Sequence, residues 1–407
     1  MGARGLFFSS SLSYGFGAGG YWSIMAEDIC AALARRAGID CGVVEAVDPA
    51  RFMSFCADAV QQRPDFIATF NFVTPFPEIS VGDQTLFINE LFPSRSVTIF
   101  LDHPIHLSDS IARFESGAAR HSYRPTPAPP PVYGIMESGH RGFLRDLGIE
   151  DRRVFEFPQA GPPASPDVPS QADRPIGLLF YGSVSTPEPE DEFLAKHGLA
   201  SPPVREAAGM ALAAVLSGTD DSYLATRQAL TANGISTDVG NMAAMARSID
   251  RRARTLRRHR LLTGLTGLGV HVCGQVDQAF RDAHPDFVFL PPCPFMDVIT
   301  LIRQSRIVLN DTINLREGAL MRLHYARANG AVVATETSPW ARQSLKDDGD
   351  IILLEGGGHD RDRLRALLDA PRQTQSIAQA GIADHDGAHL WDHRLAPMLA
   401  CLKEGRS

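Results

Sequence analysis

Short apolar runs rich in Val, Ile, Leu and Phe alternate along this chain with longer stretches in which apolar residues recur every third or fourth position. Unbroken short runs predict strands buried on both faces, and the periodic stretches predict helices that cross between them. Gly5 to Ser10 reads as a first strand, and Tyr21 to Arg36 as a helix with Ile24, Ile29 and Leu33 on one face. Cys41 to Val47 is a second strand, Pro49 to Gln61 a second helix, and Asp65 to Phe70 a third strand. Ser96 to Leu101 and Val132 to Met136 continue the series, and Ser138 to Leu147 is a helix stopped at Gly148. Strands alternating with helices predict a parallel sheet with crossover helices.

Two Pro-rich stretches interrupt this rhythm. Pro125 to Pro131 can continue neither a helix nor a central strand. Pro158 to Pro175 holds six prolines, little hydrophobicity and no period, and is expected to be an interdomain linker and hinge. Alternation restarts at Ile176 to Phe180 and runs through Leu268 to Val272, Phe287 to Leu290, Ile307 to Leu309, Ala331 to Thr335 and Ile351 to Leu354 as strands. The expected layout is a first Rossmann-like domain over residues 1–160, a linker over 161–175, a second domain over 176–385 and a C-terminal segment over 386–407. In that last segment Ala388 to Lys403 forms one amphipathic helix packing back across the linker. A chain of 407 residues exceeds what one core usually supports, which agrees with two domains.

Composition narrows the function classes. With 44 % hydrophobic and 21 % charged residues the chain is an ordinary globular one. A formal net charge of −8 gives no general attraction to nucleic acid, so any anionic ligand needs a local basic patch. The six cysteines lack C-x-x-C spacing and read as reduced thiols of a cytoplasmic protein. No apolar stretch approaches the length of a membrane span.

Several motifs carry candidate chemistry. Gly15, Gly17, Gly19 and Gly20 follow the first strand and precede a helix, with Glu45 in the next strand. Such glycines let backbone N–H groups approach a phosphate, so the loop reads as a cleft loop, as the nicotinamide site of an oxidoreductase, or as a plain glycine turn. Asp102 and His103 end a strand, where parallel sheets open onto ligand; either could deprotonate an acceptor hydroxyl, or Asp102 could simply cap a turn. Gly182 and Ser183 end the first strand of the second domain, and Gly274 ends another. Arg247, Arg251, Arg254 and Arg258 share one helix face, a stripe suited either to an anionic ligand or to plain solvation. Asp348-Gly349-Asp350 has a D-x-D spacing but reads as a surface turn, and no metal is expected.

The densest signal runs from Pro291 to Glu336. A helix leads into Ser305-Arg306-Ile307-Val308-Leu309-Asn310, a polar loop carries Glu317 and Gly318, and Arg322 and Tyr325 lie one turn apart on the next helix before Gly330 and Ala331. This segment resembles the donor-binding region of GT-B glycosyltransferases, particularly the bacterial type similar to spore-maturation glycosyltransferases. The resemblance covers roughly residues 265–355. It implies two Rossmann-like domains facing across a cleft, each a parallel sheet flanked by helices, and metal-independent transfer from a nucleotide-sugar donor without a further cofactor. It further implies donor binding through Gly182, Ser183, Gly274, Asn310, Glu317, Gly318, Arg322 and Tyr325, and it adds Glu317 to Asp102 and His103, read above from their strand end, as a candidate catalytic residue. The acceptor is unspecified. Where many retaining relatives carry a second glutamate on the ribose, this chain has Tyr325, and a phenol cannot grip a diol as a carboxylate does. That departure keeps a catalytically degenerate binding protein open as an alternative.

Overall fold

The computed structural model describes residues 4–9, 20–45, 64–71, 78–81, 84–87, 94–116 and 129–403. The chain divides into two compact units, Met1–Pro158 with Trp391–Ser407, and Gln159–Leu390.

The first unit is built on six parallel strands, β1 (Arg4–Ser9), β2 (Asp40–Glu45), β3 (Phe66–Phe70), β6 (Arg95–Ile99), β7 (Val132–Ile135) and β8 (Val154–Glu156), in the order β2-β1-β3-β6-β7-β8. A small antiparallel hairpin of β4 (Glu78–Val81) and β5 (Gln84–Phe87), not foreseen from the pattern, lies between β3 and β6 in the chain. Central β3 is buried along its whole length, Thr69 included, as a strand covered on both faces is. The helix Tyr21–Ala37 turns Met25, Ile29 and Leu33 inward and closes on Gly38 at φ 61°, a left-handed cap that glycine adopts at little cost.

In the second unit the order is β11-β10-β9-β12-β13-β14, again all parallel: β9 (Ile176–Tyr181), β10 (His271–Cys273), β11 (Val288–Leu290), β12 (Ser305–Asn310), β13 (Val332–Glu336) and β14 (Ile352–Leu354). Phe180, Val272, Leu309 and Val332 form the centre of its core. Four helices separate β9 from β10, the last being the long helix Val239–Thr263. The chain runs outward from β9 through β10 to β11 and then restarts at β12 on the other side, so the sheet reverses direction between β9 and β12.

Two expectations about connectivity need correction. The Pro-rich stretch is no free linker, because Arg174 anchors it inside the second unit. Its guanidinium, 1 % exposed, donates to the carbonyls of Ile302, Ser305 and Asn329 at 3.1, 2.9 and 2.9 Å, and burial lowers its pKa to about 10. Gln171 donates to the Gly330 carbonyl at 2.7 Å, and Val168 packs so tightly on Gly330 that a β-carbon there would clash with it. The C-terminal segment is likewise not one helix from Ala388. The helix Pro371–Ala388 ends in the second unit, and a separate helix, Leu395–Lys403, belongs to the first. There Trp391 stacks on Phe157 at 5.7 Å, Asp392 pairs with Arg35 at 2.6 Å, and the Cys401 carbonyl accepts from Arg95 at 2.7 Å. The chain therefore leaves the first unit after Pro158 and re-enters it at Trp391. On the second-unit side the outgoing and returning segments are fastened together. Gly161 N donates to His389 O at 3.1 Å, and Ala164 N to the Asp386 carboxylate at 3.0 Å. His385 Nε2 donates to the Pro162 carbonyl at 2.8 Å.

Candidate functional site

In an open parallel sheet, ligands bind beyond the carboxyl ends of the strands where strand order reverses. In the second unit that point lies beyond Tyr181 of β9 and Asn310 of β12, and two glycine turns and three charged side chains converge there. Gly182 and Gly274 follow β9 and β10 with φ of 146° and 151°. Gly182 N donates to the Cys273 carbonyl at 2.9 Å, and a β-carbon on Gly274 would stand 2.4 Å from the Gly182 carbonyl oxygen. The turns interlock only as glycines. A β-carbon on Gly182 would in turn crowd Arg322 Nη2 at 3.0 Å.

Asp311, fully buried at the first position after β12, holds two guanidiniums. Arg258, from the long helix, donates to it through Nε at 3.1 Å and Nη2 at 2.8 Å, and Arg322 donates through Nη1. Burial alone would raise the Asp311 pKa, but Arg258 and Arg322 hold it far below the usual carboxylate range. Arg258 Nη1 donates to the Ser183 carbonyl at 2.6 Å, while the Arg322 guanidinium lies 4.7 Å from the Phe180 ring centre and 4.9 Å from that of Tyr181. Arg322 Nε has no hydrogen-bond partner among the described residues. Two fixed guanidiniums against one carboxylate leave a net positive charge beside the glycine turns. Rigid guanidinium forks match phosphate oxygens well.

The residues named from the sequence are distributed unevenly around this centre. Gly182, Ser183, Gly274 and Arg322 belong to it. Glu317 is exposed on the loop that follows Asp311, and Gly318 beside it faces open space. Asn310 is 1 % exposed, and its side-chain amide donates to Thr335 at 2.8 Å, tying β12 to β13 instead of facing ligand. Tyr325 is corrected more sharply: its ring is 2 % exposed and packs edge-on against Phe295 at 5.3 Å, so it is a core residue. Asp311 and Arg258 were undervalued. Asp311 stood at a strand end in plain view, and Arg258 sat in a basic stripe that mostly serves other ends. Arg254 of that stripe pairs with buried Asp250 at 2.6 Å, and Arg251 is exposed. Asp350, expected in a surface turn, is buried and paired with Arg327 at 2.8 Å. Among the described residues no cluster of three or more His, Cys, Asp or Glu is arranged to hold a metal.

In the first unit, Asp102 and His103 follow β6 at the carboxyl edge of the sheet. His103 caps the turn that follows: its Nδ1 accepts from Ile105 N at 3.2 Å. A backbone amide can only donate, so Nδ1 of His103 is the acceptor in that contact. The ring, 4 % exposed, lies 4.2 Å from that of His140, whose Nε2 is 3.4 Å from the Glu137 carboxylate. Asp102 is half-buried. Of the glycine loop, Gly15, Gly17 and Gly19 lie outside the described residues; Gly20 caps the helix Tyr21–Ala37 at φ 90°.

Comparison with known proteins bears on the fold. Residues 246–400 match a family model described as glycosyl transferase-like. Among solved structures, an α-glucosyltransferase in complex with UDP and a 13-mer DNA aligns over 99 % of this chain and 100 % of its own, at 10 % identity and a TM-score of 0.52. Anabaena HepE in complex with UDP and glucose covers 99 % and 98 % at 12 % identity and a TM-score of 0.43. Sucrose-phosphate synthase from Thermosynechococcus elongatus covers 99 % and 98 % at 10 % identity and a TM-score of 0.47. A search among curated proteins finds no match. The fold is the GT-B fold, two parallel α/β units in one chain.

Proposed function

We propose that this glycosyl transferase-like protein moves a sugar from a nucleotide-sugar donor to an acceptor hydroxyl, with the donor diphosphate set against Arg258 and Arg322. The carrying observation is Asp311, buried between those two guanidiniums at the point where the second sheet reverses. Glycosyl transfer asks little covalent chemistry of a protein. As the sugar–oxygen bond breaks, negative charge grows on the departing diphosphate, and donors already fixed in place stabilise it without reorganising. Arg258 and Arg322 are fixed by Asp311, and the Gly182 and Gly274 turns let backbone come close. The positive charge is supplied by the protein, so the reading needs no metal. In this reading Glu317, exposed on the adjoining loop, serves the reacting sugar.

On the acceptor side, Asp102 is the base of this proposal, with His103 beside it as the alternative. The net charge of −8 argues against a polyanionic acceptor such as nucleic acid. Cys30, Cys41, Cys273, Cys293 and Cys401 carry free thiols, which suits a reducing cytoplasm. Among the described residues no helix is long and apolar enough to cross a membrane.

Calorimetric titration with UDP, the nucleotide held by two of the solved neighbours, together with hydrolysis of UDP-glucose, tests the reading. Binding accompanied by slow donor hydrolysis is expected. Binding without hydrolysis in any acceptor screen would favour a degenerate binding protein, which the core position of Tyr325 keeps in view. No binding of any nucleoside diphosphate would end the donor assignment.

A further inference from the structure

The second unit contains a cavity of about 730 Å³ that the donor assignment leaves unused. Its floor lies at the carboxyl ends of β12, β13 and β14, and its roof is the later half of the long helix, with Leu256, Arg257 and Arg260. None of Gly182, Gly274, Arg258, Asp311 and Arg322 lines it. A volume of that size fits a small organic ligand.

The charges of the cavity are unbalanced in one direction. Glu355 is matched by Arg342 at 2.8 Å, and Asp360 is spent on the backbone amides of Glu355 and Gly356 at 3.3 and 2.6 Å. Arg257 gives Nε to Asn314 and Nη2 to the carbonyls of Val215 and Leu216, all neutral acceptors, so its charge is not cancelled by those contacts and Nη1 is uncommitted. The Arg260 side chain makes no hydrogen bond or ion pair among the described residues. The remaining acid, Glu336, accepts from Thr312 N at 3.2 Å, and burial pushes its carboxyl up toward the neutral form, with Arg257 opposing. Hydroxyls from Ser217 and Thr312 complete a lining able to exchange hydrogen bonds with a polyol.

We propose that this cavity binds a small anionic sugar, a sugar phosphate or sugar acid, with its charged group against Arg257 and Arg260 and its hydroxyls on Glu336, Thr312 and Ser217. The site adjoins the donor centre through one loop. Asp311 faces the arginine pair, and the residues that follow it, Thr312, Asn314 and Leu315, line the cavity. Ile313 and Asn314 have φ of 42° and 69°, a left-handed pair without glycine that persists only where its surroundings hold it. Asn314 is clamped by Arg257 and by Asp250, to which its amide donates at 3.0 Å. A ligand on one side of this clamped loop is therefore expected to change nucleotide affinity on the other.

The experiment measures thermal unfolding and calorimetric binding of the full chain with glucose 6-phosphate, glucuronate, glucose and inorganic phosphate. One or both anionic sugars should raise the melting temperature, while glucose and inorganic phosphate at the same concentration should not. The sugar that succeeds tells phosphate from carboxylate. Arg260→Glu, at an exposed position, should weaken that binding by about tenfold or more, the scale of one charged contact. Leu256→Trp should block it by filling the space. Stabilisation by neither anionic sugar overturns the proposal, as does stabilisation that survives both substitutions. Equal stabilisation by inorganic phosphate overturns the sugar component. The coupling to UDP rests on the donor assignment: if UDP fails to bind, that assignment fails, and the melting-temperature result still decides the cavity.

Discussion

Arg322→Ala tests the donor centre most directly. Arg322 contributes one of the two guanidiniums on Asp311 and is itself mostly buried, with its side chain 10 % exposed. A hydrogen bond from a charged group to a diphosphate oxygen is worth about 1.5–3 kcal/mol, so UDP affinity should fall by roughly 10- to 150-fold. The same change leaves the buried Asp311 with Arg258 alone. Breaking a buried pair costs about 3–5 kcal/mol, and the retained two-point contact from Arg258 should keep the loss near about 3 kcal/mol. Arg322→Lys separates the two effects, because it keeps the charge on Asp311 but loses the planar fork. The assay pairs calorimetry with thermal unfolding for both variants. The reasoning is refuted if Arg322→Ala remains folded and binds UDP as tightly as the parent.

Gly274→Ala should lower stability by about 1–3 kcal/mol, because its β-carbon collides with the Gly182 carbonyl at a strained φ; an unchanged melting temperature would show that the two turns can part. Asp102→Asn should reduce turnover by about 10²–10⁴-fold while UDP affinity holds, and turnover within a few-fold of the parent would place the base elsewhere. Asp311, whose pKa is depressed, contributes stability that is present above the unfolded value of about 4 and is lost as pH falls below it; Asp311→Asn should remove that acid-limb loss, measured by denaturant titration across pH. His385 behaves in the opposite pH range. Burial lowers its pKa to about 4, so between about 6.5 and 4 the unfolded chain takes up a proton that the folded chain refuses. Stability should fall with pH through that window, and His385→Gln should flatten the slope.

The alternating fold was legible because buried parallel strands leave short apolar runs, as in Phe66 to Ala68 of β3 and Ile307 to Leu309 of β12, and because glycines punctuate the helices between them. The site was legible in part. Gly182, Gly274 and Arg322 stand at strand and helix ends where topology alone brings them together. Tyr325 was misplaced because a phenol one turn from Arg322 reads the same whether it faces a ligand or Phe295; only packing decides. Arg258 was obscured by its neighbours, since spacing groups Arg247 to Arg258 on one face but says nothing about which of them meets a buried acid. Arg174 was hidden by composition. Six prolines signal the absence of a helix, yet one guanidinium with three carbonyl partners outside the stretch is enough to seat it.

The re-entry of the chain at Trp391 sets an order on synthesis. A growing polypeptide emerges from its N-terminus, and a domain folds when its last necessary residue is available. The Gln159–Leu390 unit is contiguous and can close as soon as it is made. The first unit cannot be completed before the second is made, because Trp391 on Phe157, Asp392 on Arg35 and the Cys401 carbonyl on Arg95 all wait for residues that follow Leu390. Until then the nascent Phe157 ring lacks its cover. A stop codon shortly after Leu390 would spare the second unit and leave the first without these contacts.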